Sequence, residues 1–266
     1  MIDKSATIHP SAQIADNVII GPNVVIGENV KLASGVKIIA TAYLEHCEIG
    51  ENTIINPFAS IGTAPQDLGY KNEPTKTIVG SNCLIKENVT INRGSGEGTA
   101  TVVGNKCLLM VGSHVAHNCH LGDEVILANL VTLGGHIHVG YGAFIGGMSV
   151  FHQNLRIGEL AIISGFSAAR QDILPYSKGE GRPPIPRGLN VVALKRRGVS
   201  QEERTVANEA FKMLIAEDLN TTQAIEKIKN ELPQNKYVDT MVEFIQTSKR
   251  GVTLKSHKSG HQSLED

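Results

Sequence analysis

A six-residue period runs through most of the first 175 residues and limits the chain to very few folds. From Ile8 the sequence divides into IHPSAQ, IADNVI, IGPNVV, IGENVK and LASGVK. After a disturbed patch it resumes at Ile49 with IGENTI and INPFAS, then at Val79 with VGSNCL and IKENVT. From Val103 it runs almost unbroken, through VGNKCL, VAHNCH, LGDEVI, LGGHIH, VGYGAF, IGGMSV, FHQNLR and IGELAI, to ARQDIL. The first position of each hexad is nearly always Ile, Leu or Val, the second often Gly or Ala, and the fifth small or β-branched. Six residues fit neither a helical period nor simple alternation. They fit a short strand followed by a sharp corner. Three such units close a triangular coil of 18 residues, and stacked coils build three parallel sheets around a narrow aliphatic core. Coils rise by about 4.8 Å, the spacing of paired strands. The composition agrees with so thin a core: 27 glycines, only 4% aromatic residues and no Trp, in a chain of 266 residues that is 41% hydrophobic.

Two stretches break the period. Residues 63–77, TAPQDLGYKNEPTKT, and residues 93–101, RGSGEGTAT, read as insertions. Loops thrown from a rigid repeat tend to gather on one functional face. The repeat stops near Pro175, and residues 176–199 read as an irregular linker around GEGRPPIPRG. Helical signals fill 200–251: a capping box at Ser200 and Glu203, a stripe of Val206, Ala210, Phe211 and Leu214, a second of Ala224, Ile225, Ile228 and Leu232, and a third of Val238, Val242 and Ile245. Residues 252–266, with His257 and His261, read as a disordered tail. The expected fold is therefore mainly β: a parallel β-helix over 1–175 followed by a C-terminal α-helical domain.

Net charge is −1, which gives no bias toward nucleic acid or an anionic membrane. No apolar run reaches the roughly 18 residues of a membrane span, and MIDKSATIHP lacks a signal-peptide core. A cytoplasmic location is the expectation. Cys47, Cys83, Cys107 and Cys119 form no CxxC pair and read as reduced, buried thiols.

The segment GSHVAHNCHLG carries His114, His117 and His120. In 18-residue coils His117 stacks under Gly135 and then Gln153, Asn118 under His136 and then Asn154, and Gly134 under His152. His117, His136 and His152 thus converge on one edge of the prism, with His114 beside them. One reading is a polar lining of a subunit interface. A second is zinc, which needs three or four ligands at about 2 Å; His114 and His117 would contribute, with His138 or His120 recruited. The third asks least of the site. One imidazole near pKa 6.5 takes a proton from a hydroxyl or amine attacking an acyl carbon. A backbone N–H at Gly135, where substrate can approach closely, stabilises the oxyanion.

The hexads resemble the left-handed β-helix of hexapeptide-repeat proteins. More specifically, MIDKSATIHPSAQI, FASIG with QDLGY and EPT, HVAHNCHLG, ILANLVTLGGHIHVG, GGMSVFHQ and GLNVVALKRRG resemble the acyl-carrier-protein-dependent UDP-N-acetylglucosamine 3-O-acyltransferase family. The resemblance spans roughly residues 1–250. It implies transfer of a 3-hydroxyacyl chain from acyl carrier protein to a UDP-sugar, the first step of lipid A synthesis, in a homotrimer with no cofactor or metal. It implies His117 as general base and Gly135 as oxyanion amide. By the same resemblance Gln66, Asp67, His114, His136, His152 and Gln153 line the donor and acceptor cleft. Asn190 and Arg196 contact the nucleotide half, and Gly165 leaves room for a long acyl chain. The basic run Lys195, Arg196 and Arg197, with Arg204, offers a patch to the acidic carrier protein. Three positions depart from the family pattern: Gly69 replaces a loop lysine, Val192 an acidic residue, and Asn118 the carboxylate that follows the base. The first two touch acceptor recognition. A 3-amino nucleotide sugar, an acetyl-CoA donor and a non-catalytic paralogue remain alternatives.

Overall fold

The structure, a computed structural model, describes residues 1–216 and 218–255. Two-residue strands alternate with turns and assemble into three sheets that form the faces of a prism, a left-handed parallel β-helix. The first face runs from Thr7–Ile8 to Ala168–Ala169 and the second from Gln13–Ile14 to Arg156–Ile157. The third runs from Ile19–Ile20 to Ile162–Ile163. Register follows the expected coil: Ile8 pairs with Ile26, and Leu121 with Val139, at intervals of 18.

Each hexad position has a physical reason. First-position residues such as Ile26, Leu44, Ile91 and Leu133 are fully buried, as are fifth-position residues such as Val24, Val89, Cys119 and Val131. They form one continuous core along the axis. Truncating such a side chain to Ala costs about 2–5 kcal/mol. The fourth position turns the corner. Asn23, Asn29, Asn52, Asn82, Asn88, Asn118 and Asn154 all have positive φ, the conformation a tight turn demands of its second central residue and one that Asn tolerates. Asparagine at that position is thus part of the repeat signal. The disturbed patch near residue 46 is a corner shortened by one residue: Leu32 pairs with Ile49, an offset of 17. All four cysteines are free and buried.

The stretch expected to be linker is structured. Ser177–Glu180 extends the third face by pairing with Ile162–Ile163, and Ile185–Leu189 folds back on it antiparallel. Helix α1 (Val191–Arg196) follows, capped by the Asn190 side chain. Helices α2 (Gln201–Ile215), α3 (Thr221–Glu231) and α4 (Lys236–Gln246) complete the C-terminal part, with capping boxes at Ser200–Glu203 and Asn220–Gln223. Their buried stripes join Leu160, Leu174, Tyr176 and Leu189 in a second core. This part covers the otherwise open last coil of the prism, which would expose unpaired strand edges.

The first residues of the expected tail pack as well. Val252 bridges to Asp172, and Thr253 donates its N–H to the Asp172 carbonyl. The remainder of that expectation, including His257 and His261, falls on 256–266, outside the described residues.

Arg156 holds α4 to the prism. Its Nε donates to buried Asp172 (3.0 Å), Nη2 to the Phe244 carbonyl (2.6 Å) and Nη1 to Thr247 Oγ1 (3.0 Å). The guanidinium carbon also lies 4.2 Å from the Phe244 ring centroid. Arg156→Ala strands a buried carboxylate that is only partly compensated by Ser248. It is expected to lower stability by about 2 kcal/mol and to raise proteolytic cleavage around α4, both measurable by denaturation and limited proteolysis.

Candidate active site

Sites assemble at the corner between the first and second faces. Here the turn residues of successive coils are 116–119, 134–137 and 152–155, and the two insertions leave from the same corner. The first separates strands Ser60–Thr63 and Lys76–Val79, and the second separates Thr90–Asn92 and Ala100–Val103. Both loops therefore rise directly beneath His117.

His117 is nearly buried, at 9% exposed, and stacks as expected. Its carbonyl accepts the His136 N–H (3.0 Å), and the Gly135 carbonyl accepts that of Asn154 (2.9 Å). The rings of His117 and His136 meet edge to face at 5.1 Å. A methyl group on Gly135 would sit 2.6 Å from His117 Nε2 and 2.7 Å from Cε1. The missing Cβ is thus the space into which Nε2 faces. The Gly135 N–H makes no hydrogen bond among the described residues.

The other imidazole nitrogen meets the insertions. His117 Nδ1 lies 2.8 Å from Asn118 Oδ1, which also accepts the Ser95 N–H (2.9 Å). Asn118 Nδ2 donates to the Ser95 carbonyl (3.2 Å). Ser95 Oγ donates to Asp67 Oδ2 (2.6 Å), and Asp67 Oδ1 accepts the Gly69 N–H (2.9 Å). Hydrogen bonds from the Ser95 hydroxyl and the Gly69 amide hold the Asp67 carboxyl below its ordinary range. Sequence reasoning missed Ser95. The repeat places the loop that carries it one coil below the His117 corner, but does not fix which loop residue meets Asn118.

His114 points out from the first face, half-buried, with Nδ1 2.7 Å from Thr90 Oγ1. Burial, aided by neighbouring His117, pushes its pKa down. The unfolded chain therefore takes up a proton before the fold does. Stability is full above about pH 6.5 and is lost as pH falls through that unfolded value toward the lower folded one. A thermal midpoint that declines as pH falls below about 6.5, and declines less in His114→Gln, is the expected result.

His152 sits exposed one coil beyond Gly134, and its Nδ1 accepts from Arg250 Nη2 (3.0 Å). With Val150, Phe151, Ala168 and Arg170 it lines a groove of ≈ 830 Å³ across the first face. Gln153 and Gln66 are exposed at the same corner.

The remaining expected residues lie elsewhere. Asn190 and Arg196 border a cleft of ≈ 750 Å³ on the third face, opposite this corner, with Val192 and Arg197 beside them. The Asn190 side chain is occupied: Oδ1 caps α1 at Ala193, and Nδ2 donates to the Leu160 carbonyl. Arg197 is exposed but paired with Glu124, and Arg204 donates to the Val199 carbonyl, so Lys195 and Arg196 are the exposed cations of the basic run without a side-chain partner among the described residues. Gly165 is at the corner between the third and first faces, where a Cβ would meet the Gly147 carbonyl oxygen at 3.0 Å. His120 and His138 stack at 5.0 Å on the second face, whereas His114 points out from the first. Among the described residues, no three His, Cys, Asp or Glu side chains are grouped to hold a metal ion.

Comparison with known proteins agrees over the whole length. Residues 172–253 match the family described as UDP N-acetylglucosamine O-acyltransferase, domain 2, and residues 100–135 match the bacterial transferase hexapeptide repeat. Residues 2–96 match the GMPPB C-terminal domain. An acyl-[acyl-carrier-protein]–UDP-N-acetylglucosamine O-acyltransferase of Thermodesulfovibrio yellowstonii is 45% identical over 94% of this chain and 98% of its own. Among solved structures, a UDP-N-acetylglucosamine acyltransferase of Bacteroides fragilis is 40% identical, with a TM-score of 0.91 over 95% of this chain and 99% of its own. An Arabidopsis UDP-N-acetylglucosamine acyltransferase is 30% identical, with a TM-score of 0.84 over 95% and 100%. With a repeat and a C-terminal part that both match these proteins, the chain belongs to the UDP-N-acetylglucosamine O-acyltransferase family of enzymes.

Proposed function

We propose that this protein transfers a 3-hydroxyacyl chain from acyl carrier protein to the 3-position of a UDP-N-acetylglucosamine-type sugar, the first step of lipid A synthesis, in the cytoplasm. The observation that carries the reading is His117: Nδ1 is held by Asn118, and Nε2 is open toward Gly135. Nε2 takes the proton of the sugar 3-hydroxyl as its oxygen attacks the thioester carbonyl. The Gly135 N–H receives the developing oxyanion. Collapse expels the carrier thiolate, which recovers the proton from Nε2. Asp67, Gln66, His114, His136, His152 and Gln153 surround this point and bind donor and acceptor.

Asn190 and Arg196 serve the same reaction from a neighbouring subunit. They lie on the face opposite their own His117, so a homotrimer that sets one subunit's third face against the next subunit's corner completes each site. Leu130, Met148 and Phe166 leave 47%, 50% and 62% of their surface exposed along the corner between the third and first faces, an apolar strip bordering the face that this packing covers. The acyl chain runs over the apolar first face toward Gly165, which leaves room for a long chain. Lys195 and Arg196 attract the acidic carrier protein.

A 3-amino sugar is the second reading, and Asn118 is the observation that favours it. An amide lends His117 no negative charge, and an unprotonated amine needs less help from a base than a hydroxyl does. Mass spectrometry of products from 3-hydroxyacyl carrier proteins of several chain lengths, offered with both nucleotide sugars, tests the proposal. An acylated UDP-sugar is expected, with long chains preferred. Turnover of only the amino sugar would select the second reading. Absence of product with either sugar would overturn both.

A further inference from the structure

The grip of the second insertion on Asn118 decides which nitrogen of His117 can act. A peptide N–H only donates and a peptide carbonyl only accepts. Because Ser95 presents both to one amide, Asn118 has a single orientation: Oδ1 toward Ser95 N–H at 2.9 Å and Nδ2 toward Ser95 C=O at 3.2 Å. The same Oδ1 lies 2.8 Å from His117 Nδ1. An oxygen that only accepts requires a proton on Nδ1. The neutral imidazole then keeps its lone pair on Nε2, beneath Gly135. A flipped amide would turn its NH₂ to Nδ1, move the ring proton to Nε2 and leave no base.

We infer that Ser95 is a positioning residue for His117, acting through Asn118 to fix the Nδ1–H tautomer; this rests on the acyltransfer reading above. A carboxylate at 118 would offer two equivalent acceptors and need no orienting partner. An amide does need one, and Ser95 is the residue in contact. Its hydroxyl ties the grip to Asp67 at 2.6 Å, and Glu73 accepts the next peptide N–H, that of Gly96, at 2.6 Å. The two insertions thus lock each other against the imidazole. The local conformation suits an amide, since Asn118 has a φ of 59° and its own N–H is bonded to Thr101 Oγ1 at 2.9 Å.

The test is a four-member cycle of the full-length protein: wild type, Ser95→Ala, Asn118→Asp and the double variant. Loss of the Asp67 tether in Ser95→Ala is expected to lower kcat about tenfold through misorientation of the base, with any change in KM confined to the substrate that Asp67 touches. Ser95→Thr, which keeps the hydroxyl, restores kcat. In the Asn118→Asp background the same Ser95→Ala change is expected to cost less than about twofold, because a carboxylate cannot present a donor. A purely structural Ser95 would give equal factors in both backgrounds, and that result, or an unchanged kcat in Ser95→Ala, overturns the inference.

Nitrogen-15 NMR of labelled histidine reads the tautomer without turnover. Wild type is expected to carry the proton on Nδ1, and Ser95→Ala a mixture; a proton on Nε2 in wild type overturns the inference. An inactive wild type with the Nδ1–H form would instead count against the acyltransfer reading alone, which keeps the two failures distinct.

Discussion

His117→Ala is expected to lower kcat/KM by about 10³–10⁴-fold, the upper range for removal of a general base. That corresponds to about 4–5.5 kcal/mol of transition-state stabilisation. Proton acceptance happens only as the acceptor attacks, so the loss belongs in kcat and KM should change little. The fold has no comparable stake in the imidazole. Val115 and Cys119, on either side of the turn, fill the axial core and are untouched. The coil is held by backbone bonds such as that from His136 N–H to the residue-117 carbonyl, which alanine retains. Steady-state assays alongside the thermal midpoint and native mass separate the outcomes. Retained activity in a well-folded variant would remove the base assignment. The His136 side chain meets that of His117 only in an edge-to-face contact, and His136→Ala should cost far less.

How much of this was legible in the sequence follows from what the repeat controls. A coil of fixed length converts chain position into spatial position, so the stack of His117, Gly135 and Gln153 could be derived by counting, as could the gathering of both insertions on one side. Counting reaches only residues inside the repeat. It gave no access to Ser95, whose partners depend on the path of a loop, nor to Arg250, which reaches His152 from beyond α4. Between Ser177 and Leu189 the pattern was obscured by Pro and Gly, yet the segment forms a hairpin because the last coil of the third face offers an unpaired edge. Counting also gave no place to Asn190 and Arg196, which the resemblance assigned to the nucleotide half of a site between subunits; the prism sets them on the face opposite the histidines. A motif records which residues serve one reaction; it does not record which subunit supplies them.

Gly135→Ala is expected to lower kcat by about 10²–10³-fold, with a loss of stability of about 1–3 kcal/mol from the crowded ring. Gly135 has no positive φ to defend, so the substitution acts through space alone. The added methyl would come within 2.6 Å of His117 Nε2 and 2.7 Å of Cε1, well inside van der Waals contact. A loosely held side chain would swing aside at little cost. This one cannot do so freely, because Nδ1 is bonded to an amide that Ser95 grips from both ends. The ring must tilt, and Nε2 leaves the line along which it meets the acceptor. The methyl also fills the approach to the Gly135 N–H, so base and oxyanion donor are impaired together. The two contributions can be separated. Gly135→Ala combined with His117→Ala removes the clash and leaves only obstruction of the amide. If the methyl acts by displacing the imidazole, the double variant is no slower than His117→Ala alone; if it acts by blocking the amide, the double variant falls further. Wild-type kcat in Gly135→Ala would mean that neither group meets the reacting atoms at this corner.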